Sequence, residues 1–454
     1  MRRLWKGSAA VLSAGTALVL AAGSAPGAVR AAGTAVHYTG TLADGSTWVA
    51  DVPARWNGRL VLFSHGFGPL VAADRPSEAA GQALLDRGYA LAGSSYAPGS
   101  LWALGSAVGD QLGTRDALAA IIGRPRLTIA LGQSMGGLVS AKIAETGRVD
   151  GALNACGIVA GGVDLDNYQL DAGHTVATLL APGQTIKLTD YANAGEGALA
   201  GAQLTQAVKD AQATPAGRAR IALAAAFHNL PSWNSGDAPP ARHDYAGRQL
   251  QQYQWFAAGV LSFTFGARPS INAASGGDSA WNKGLDHARL LRTSANLDEI
   301  KALYRDAGLN LHDDLARLDA AASKQVEPGP LAWMTRTSQP TGRLKAPTLS
   351  IHTIADQLVP VEQENEYAAT VRAAGRSSLL RQAYVRRIGH CNFSASEYVA
   401  SLQAVEARIK AGHWPSTTAA ALNKSASALS LDTPAFVPYK PSRLVVQAPH
   451  PGPQ

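Results

Sequence analysis

The sequence of 454 residues has little cysteine, few aromatic residues and no long apolar segment. Its two cysteines exclude a disulfide-rich scaffold and any zinc or iron–sulfur site that needs four cysteines. No apolar run reaches the roughly 18 residues that a membrane-spanning helix needs, so a polytopic membrane protein is excluded. Aromatic residues make up only 6% of the chain, but 46% of its residues are hydrophobic, a normal value that excludes a wholly disordered protein.

The positive charge of the chain is concentrated at its start. The formal net charge is +7, and the four basic residues of segment 1–32 (Arg2, Arg3, Lys6, Arg30) face no acidic residue there. Without that segment the charge is +3, seven minus four. This excess is too small to indicate a nucleic-acid partner.

Residues 1–32 have the pattern of a secretory signal peptide. The basic start is followed by an apolar stretch of small residues from Ser8 to Ala22 and by a cleavage frame at Val29–Ala31. The apolar stretch is too short to span a bilayer, so we expect a cleaved signal of the Sec or twin-arginine type and no stable membrane anchor. The protein is therefore expected to be secreted, into an oxidising compartment where cysteines can pair.

Short apolar runs alternate with helical patterns over residues 33–162. The runs Arg59–Ser64, Tyr89–Ser94 and Leu127–Leu131 are typical of strands buried on both faces. This alternation predicts an α/β fold with a mostly parallel sheet and helices on both faces.

The alternation stops over residues 163–343 and resumes over residues 344–413. The middle segment shows helical patterns, among them Tyr245–Val260, and is predicted to be a large helical lid inserted into the sheet. Residues 414–454 are rich in proline and alanine and are predicted to be a C-terminal tail that wraps the surface or is disordered.

Residues 132–136 match the G-x-S-x-G pattern of a nucleophile elbow. Ser134 follows an apolar strand and precedes a helix that begins at Met135 and ends before Gly147, which is the setting that this turn requires. Neighbours crowd a serine on so sharp a turn, and glycine two residues away on either side relieves the crowding. We therefore predict that Ser134 is a nucleophile at the carboxyl edge of the sheet, beside a helix N-terminus that stabilises negative charge.

A serine nucleophile needs a base and an acid, which in elbow enzymes follow the serine in loops after later strands. Asp356 follows the predicted strand Pro347–His352, and His390 follows the predicted strand Leu379–Val385. These positions predict a triad in which His390 is the base and Asp356 the acid for Ser134.

Backbone N–H groups are expected to stabilise the oxyanion. The strand Arg59–Ser64 ends in a turn flanked by glycines, where the N–H of Phe67 is placed to point at the site. The N–H of Met135 is the second predicted donor. Losing one such donor typically raises the barrier by about 3–4 kcal/mol.

Other polar residues have plainer interpretations. Asp164 and Asp166 follow the strand after the elbow helix and are alternative acids. His65 is interpreted as a residue that orients its loop. The run His312–Asp314 resembles a metal cluster but is interpreted as a solvated helix start, so no metal site is predicted.

The chain resembles the α/β-hydrolase superfamily in four segments, which cover the sheet but not the helical insertion. The resemblance implies a Ser–His–Asp triad that transfers an acyl group to water through an acyl-enzyme intermediate, without a cofactor. The segments are LVLFSHGFG (60–68), LTIALGQSMGG (127–137), PTLSIHTIADQLVPV (347–361) and RIGHCNF (387–393).

Within that superfamily, a cysteine directly after the histidine resembles the tannase and feruloyl-esterase branch. In that branch a second cysteine directly precedes the serine, where this sequence has Gln133. Cys156 lies at the end of the strand after the elbow helix, so its loop is within reach of the histidine loop. We therefore hypothesise a Cys156–Cys391 disulfide that holds His390 over the sheet.

Four aromatic residues are predicted to bind substrate. Tyr96 and Trp102 follow the strand that ends near Ser94, and Trp255 and Phe256 belong to a group of aromatic residues in the helical insertion. Such residues form ordinary core as often as they line a site for an apolar or aromatic acyl group.

The sequence thus predicts a secreted serine hydrolase, expected to be a monomer, that cleaves a small-molecule or polymeric carboxylic ester. Triads also cleave amides, so a serine peptidase of the aminopeptidase or oligopeptidase type is one alternative, and an acyltransferase is another. A binding protein without activity is disfavoured because serine, aspartate and histidine all occur in the required order. A histidine base predicts activity that rises with pH through roughly 6–7.

Overall fold

The computed structural model describes residues 35–447. The predicted signal peptide and the last part of the predicted tail lie outside the described residues. Within them, nine strands form one sheet in the order β1-β2-β4-β3-β5-β6-β7-β8-β9. The strands are β1 (Val36–Thr41), β2 (Thr47–Val52), β3 (Arg59–Ser64), β4 (Tyr89–Ser94), β5 (Leu127–Gln133), β6 (Gly151–Ala155), β7 (Thr348–Ala355), β8 (Leu380–Ile388) and β9 (Phe436–Val437).

Most of the sheet is parallel. The five pairs that join β4, β3, β5, β6, β7 and β8 are parallel, whereas β1–β2, β2–β4 and β8–β9 are antiparallel. Strands β3 to β7 are almost entirely buried because helices cover both faces, which explains why they are continuous apolar runs in the sequence. The predicted fold class is confirmed.

Six helices cover the two faces of the sheet. On one face, Leu84, Val399 and Leu422 pack against sheet residues such as Leu131. On the other face, the helices contribute residues such as Leu112, Leu138 and Tyr367 to a second core. The first face holds α1 (Glu78–Leu85), α14 (Ala395–Ala411) and α15 (Ala419–Ser427), and the second holds α2 (Ala107–Ile122), α3 (Met135–Thr146) and α13 (Gln363–Ala373).

Nine helices lie between β6 and β7, in the range for which a helical insertion is predicted. They form two hydrophobic cores of their own, one around Phe256 and Phe265 and one around Phe227 and Tyr304. The helices are α4 (Gly162–Leu180), α5 (Ala194–Ala211), α6 (Pro215–Phe227), α7 (Tyr245–Ala257), α8 (Val260–Ser275), α9 (His287–Leu291), α10 (Leu297–Asp306), α11 (Leu311–Ala321) and α12 (Pro328–Ser338).

One helix predicted in this insertion is wrong in its extent. The pattern over Tyr245–Val260 predicts one helix, but α7 ends at Ala257 and a separate helix, α8, begins at Val260. Gly259 between them has φ +106°, a conformation that ends one helix and redirects the chain.

The described part of the tail packs on the rest of the protein. Phe436 in β9 pairs with Val385 in β8 and thereby extends the sheet. The N–H of Val445 donates to the side chain of Asn229 in the insertion, at 2.6 Å. No helix within residues 35–447 is both long and apolar enough to cross a bilayer.

The order of the strands creates a crevice at the carboxyl edge of the sheet. Strand β3 lies between β4 and β5, so the chain leaves β3 towards one side and later returns on the other side. The loops that follow β3 and β5 therefore diverge, and in such sheets ligands bind at this point. The β3 loop contains Gly66 and Phe67, and the β5 loop is Ser134.

Candidate active site

Ser134 is the one residue between the end of β5 and the start of α3. Its φ and ψ are +57° and −124°, a conformation that serine adopts only under strain, typically about 1–3 kcal/mol. The turn leaves no room for side chains nearby: a Cβ on Gly132 would overlap the carbonyl of Gly136, and a Cβ on Gly136 would overlap the carbonyl of Ser64. The glycines two residues away on either side of Ser134 are therefore required by packing.

Backbone hydrogen bonds to β6 and to the loop after it hold this strained turn in place. The N–H of Ser134 donates to the carbonyl of Ala155 at 3.1 Å, and the Ser134 carbonyl accepts from the N–H of Ile158 at 3.3 Å. Strain of this kind persists only where the surrounding structure determines the backbone, and it is concentrated at functional sites.

Asp356 and His390 form the second part of the site. Asp356 is the first residue after β7, and His390 lies in the loop between β8 and α14. His390 Nδ1 lies 2.7 Å from Asp356 Oδ2. The other carboxylate oxygen, Oδ1, accepts the N–H groups of Leu358 and Val359, each at 2.9 Å.

The Asp356 carboxylate is completely buried and fully hydrogen-bonded. Burial by itself would raise its pKa, but the charge and hydrogen bond of His390, the charge of His352 and the Val359 N–H outweigh burial and hold the pKa below its ordinary value. Asp356 is therefore an anion at neutral pH and accepts the Nδ1 proton of His390. This leaves Nε2 of His390 free to accept a proton. Asp166, an alternative acid in the sequence, instead pairs with Arg268 at 2.7 Å.

A second histidine, His352, lies behind Asp356. Its Nδ1 is 3.1 Å from Glu364 Oε1 and its Nε2 is 2.8 Å from the carbonyl of Val359, so both ring nitrogens face acceptors. Burial lowers the pKa of His352, but the hydrogen bond and charge of Glu364 and the charge of Asp356 outweigh burial and raise it. Through these two contacts His352 ties the loop after β7 to α13.

The predicted Cys156–Cys391 disulfide is confirmed. Cys156 is the first residue after β6, and Cys391 directly follows His390; their Cα atoms are 5.3 Å apart. Cys391 Sγ also lies 3.4 Å from His390 Nε2. The disulfide therefore joins the histidine loop to the strand that supports the serine turn.

The loop after β3 passes directly against the serine. A Cβ on Gly66 would lie 3.2 Å from Ser134 Cβ and 3.6 Å from Ser134 Oγ, so Gly66 allows this close approach. Phe67 follows in that loop, and Met135 opens α3, where the first N–H groups have no acceptor inside the helix. Tyr96 supports the loop from below: its hydroxyl donates to the carbonyl of His65 at 2.8 Å and its ring stacks on the His65 ring at 4.2 Å.

Ser134 and His390 line the same cavity, which has a volume of about 330 Å³. Ser134 Oγ has no hydrogen-bond partner among residues 35–447. Hydrogen bonds between a catalytic serine and its base are often long without substrate and shorten in the complex. The remaining lining residues are Gly66, Phe67, Trp102, Gln133, Ile158, Leu165, Gln169, Phe263, Thr264, Ala267, Ile271, Leu358, Val359 and Cys391.

The structure places one of the four predicted substrate-binding residues, Trp102, at this cavity. The other three predictions need correction. Tyr96 is buried beneath the β3 loop, and Trp255 and Phe256 lie in the core of the helical insertion, where α7 packs on its neighbours. Phe263 lines the cavity instead, because the break at Gly259 turns α8 away from the direction of α7.

Sequence reasoning also missed Gln169 and Thr264. Both lie on helices of the insertion, in segments that carry no motif. The glycine at position 259 is the signal that would have separated Phe263 and Thr264 from the aromatic residues of α7. Nothing in the sequence points to Gln169.

No known protein family model matches the sequence. The chain is 29% identical over 431 residues to an o-phthalyl amidase from Xanthobacter agilis, and the match covers 87% of this chain and 92% of that protein. Among solved structures, it is similar to feruloyl esterase B from Aspergillus oryzae, with 12% identity, a TM-score of 0.39, and coverage of 84% of this chain and 81% of that one. It is also similar to an acylaminoacyl peptidase from Pyrococcus horikoshii, with 11% identity and a TM-score of 0.36. That match covers 79% of this chain and 38% of the peptidase chain.

The amidase match over most of both chains supports a hydrolase. The strand order and the strained serine between β5 and α3 show that this chain has the α/β-hydrolase fold.

Proposed function

We propose that this protein is a secreted serine hydrolase that cleaves carboxylic esters through an acyl-enzyme. The observation that carries the proposal is the His390–Asp356 hydrogen bond of 2.7 Å on the same cavity as a serine in a strained turn. The disulfide supports export, because such bonds persist in oxidising compartments.

In the first half of the reaction, Ser134 Oγ attacks the ester carbonyl carbon while His390 Nε2 accepts the hydroxyl proton. The N–H groups of Phe67 and Met135 donate to the oxyanion. The C–O bond to the alcohol then breaks, and His390 returns the proton to the departing alkoxide. Asp356 stabilises the imidazolium that exists between these two proton transfers.

In the second half, water replaces the alcohol. His390 accepts a proton from water, the hydroxide attacks the acyl carbon, and the bond to Ser134 Oγ breaks as His390 returns the proton to the serine. The acid is released and the free enzyme is restored.

A fluorophosphonate probe tests the nucleophile. We expect it to label the protein at Ser134, as mapped by peptide mass spectrometry, and Ser134→Ala to lose both the label and the turnover of p-nitrophenyl esters. The matched control is Ser140→Ala on α3, whose hydroxyl is buried away from the cavity and bonds to Asn154. Labelling and turnover that survive Ser134→Ala would refute the proposal.

Amide hydrolysis is the second candidate function, because the relative that matches 87% of this chain is named as an amidase. Triads act on both bonds, so the site alone favours neither. The p-nitrophenyl ester and p-nitroanilide of the same acid separate the two: the ester is expected to have the higher kcat/KM after correction for its alkaline hydrolysis rate. A higher corrected kcat/KM for the anilide would make the protein an amidase.

A further inference from the structure

Gln133, the last residue of β5, directly precedes the proposed nucleophile and lines the same cavity. Its side chain reaches α14, where its Nε2 donates to the hydroxyl of Tyr398. Because the nitrogen and the oxygen of a carboxamide point in different directions, this bond leaves the oxygen, Oε1, without a contact to Tyr398. No residue within 35–447 donates to Oε1, and the side chain is only partly buried, so Oε1 is open to a molecule bound in the cavity.

Gln133 lies on the histidine side of the serine. In the sheet it pairs with the last residue of β6, and the residue after that, Cys156, forms the disulfide with Cys391. Tyr398, which holds the carboxamide, also packs edge-on against Phe393 of the histidine loop, with ring centroids 5.5 Å apart. The loop after β3, which carries one of the proposed oxyanion donors, comes from the other side of β5.

The position of Gln133 is occupied differently in the branch that this chain resembles, where a cysteine directly precedes the serine. Here the partner of Cys391 is Cys156 on the neighbouring strand, so position 133 is free for a side chain that lines the cavity. A hydrogen-bond acceptor therefore stands beside the serine where that branch has a cysteine.

The leaving group of a substrate occupies the histidine side of the serine, because His390 Nε2 must give it a proton. In a planar trans amide, the N–H points in the direction opposite to the C=O. When the C=O is directed at the oxyanion donors, the N–H of the scissile bond therefore points towards the histidine side, where Gln133 lies. An ester has an oxygen at this position and no hydrogen to donate.

We propose that Gln133 is a specificity-determining residue whose Oε1 accepts the N–H of a scissile secondary amide. The proposal rests on the proposed function, because it assumes that Ser134 is the nucleophile and His390 the base. As the C–N bond breaks, His390 Nε2 transfers its proton to the nitrogen, the original N–H stays on Oε1, and the amine leaves with both hydrogens. The acyl group remains on Ser134 and is released by water, as it is from an ester. The contact thus serves amides only and gives the enzyme amidase activity beside ester hydrolysis.

Two substrates that differ only at the scissile atom test this contact: p-nitrophenyl acetate has an oxygen there and p-nitroacetanilide has an N–H. The measured quantity is kcat/KM for the anilide divided by kcat/KM for the ester, so that effects on the triad cancel. Gln133→Met removes the acceptor at similar size, and we expect it to lower this ratio about tenfold or more, the usual effect of leaving a buried donor unpaired. Gln133→Glu keeps an acceptor, and its ratio should stay within about threefold of the wild-type ratio.

The matched control is Gln252→Met on α7, a buried glutamine outside the cavity whose Nε2 donates to Ser232 Oγ at 2.8 Å; its ratio should not change. Equal ratios in Gln133→Met and wild type would overturn the contact. So would an equal loss in Gln133→Glu and Gln133→Met, because the side chain would then donate to the substrate and not accept from it. A wild-type enzyme that cleaves the ester but not the anilide would also overturn the contact, and would leave the proposed function intact.

Binding to Ser134→Ala decides the contact without turnover. Calorimetry measures the affinities of the same anilide and ester, and we expect the affinity ratio of anilide to ester to fall about tenfold or more when Gln133→Met is added. An unchanged ratio would refute the contact even if both substrates are cleaved. If the wild type cleaves neither substrate, the proposed function fails, while this binding measurement still decides whether Oε1 accepts the N–H.

Discussion

Removal of the disulfide tests whether it positions His390, the proposed base. In the double variant Cys156→Ala and Cys391→Ala the Cβ atoms stay, so the strain at these residues, whose φ values are +46° and +53°, is unchanged. The disulfide closes a loop with a sequence separation of 235 residues, and its loss should destabilise the protein by about 5 kcal/mol on the chain-entropy model. The unfolding entropy is about 2.1 cal/mol/K per residue, here taken over the 413 residues from 35 to 447. Dividing the lost free energy by this total entropy gives a decrease in Tm of about 6 °C.

The effect on activity follows from the position of Cys391 next to His390. Without the link to β6, the histidine loop is held by Asp356 and by backbone bonds such as that from the Gly389 N–H to the Ala355 carbonyl, at 2.9 Å. A displacement of about 1 Å at a reacting group typically lowers the rate about 100-fold, so kcat should fall by 10- to 100-fold.

Steady-state kinetics on p-nitrophenyl esters and scanning calorimetry measure these two effects. Wild-type enzyme reduced by a thiol should gain two hydrogens in intact mass and show the same losses as the double variant. If kcat and Tm both stay at their wild-type values in the fully reduced or doubly substituted protein, the disulfide does not position His390, and the reasoning is wrong.

Three further predictions concern buried ionisable groups. Asp356→Asn should lower kcat by about 1,000- to 10,000-fold without loss of folding, because an amide no longer favours the Nδ1–H tautomer of His390; a loss below tenfold would exclude this role. Glu364→Gln removes the carboxyl group whose hydrogen bond and charge raise the pKa of His352, and we expect kcat to fall about tenfold with KM little changed; unchanged kcat would show that the Glu364–His352 contact behind Asp356 has no effect on the reaction. Burial lowers the pKa of His228 to about 4. As the pH falls, the unfolded chain therefore takes up a proton on this histidine near pH 6.5, whereas the folded chain takes it up only near pH 4. The free energy of unfolding decreases as the pH falls through this range. Between pH 7.5 and 5 the free energy of unfolding should fall by about 2 kcal/mol from this histidine alone. In urea unfolding, the free energy of His228→Leu should therefore depend less on pH than that of the wild type. An equal pH dependence in the two proteins would refute the lowered pKa of His228.

Much of the sheet and of the candidate site was predictable because each rests on local chemistry. Strands such as β3 and β4 are continuous apolar runs, since helices bury both of their faces, and the sequence predicts their bounds correctly. The strained backbone of Ser134 requires glycine at positions 132 and 136, so the turn is visible as a pattern. The order of Asp356 and His390 after the serine follows from the loops at one edge of a parallel sheet.

The helical insertion was less predictable because helical periodicity shows which face of a helix is buried but not what that face packs against. Trp255 and Phe263 look alike in the sequence, yet one lies in the core of the insertion and the other at the cavity. The deciding feature is a change of chain direction at Gly259, where a separate helix, α8, begins and carries Phe263 to the cavity.

The amino-acid sequence by itself determined the sheet, the strained serine turn and the identity of the residues around it, because strand burial and backbone crowding act between near neighbours. Only the tertiary structure decided which side chains of the insertion surround the cavity. Those contacts join helices that are far apart in the chain, and their geometry depends on how nine helices pack between β6 and β7.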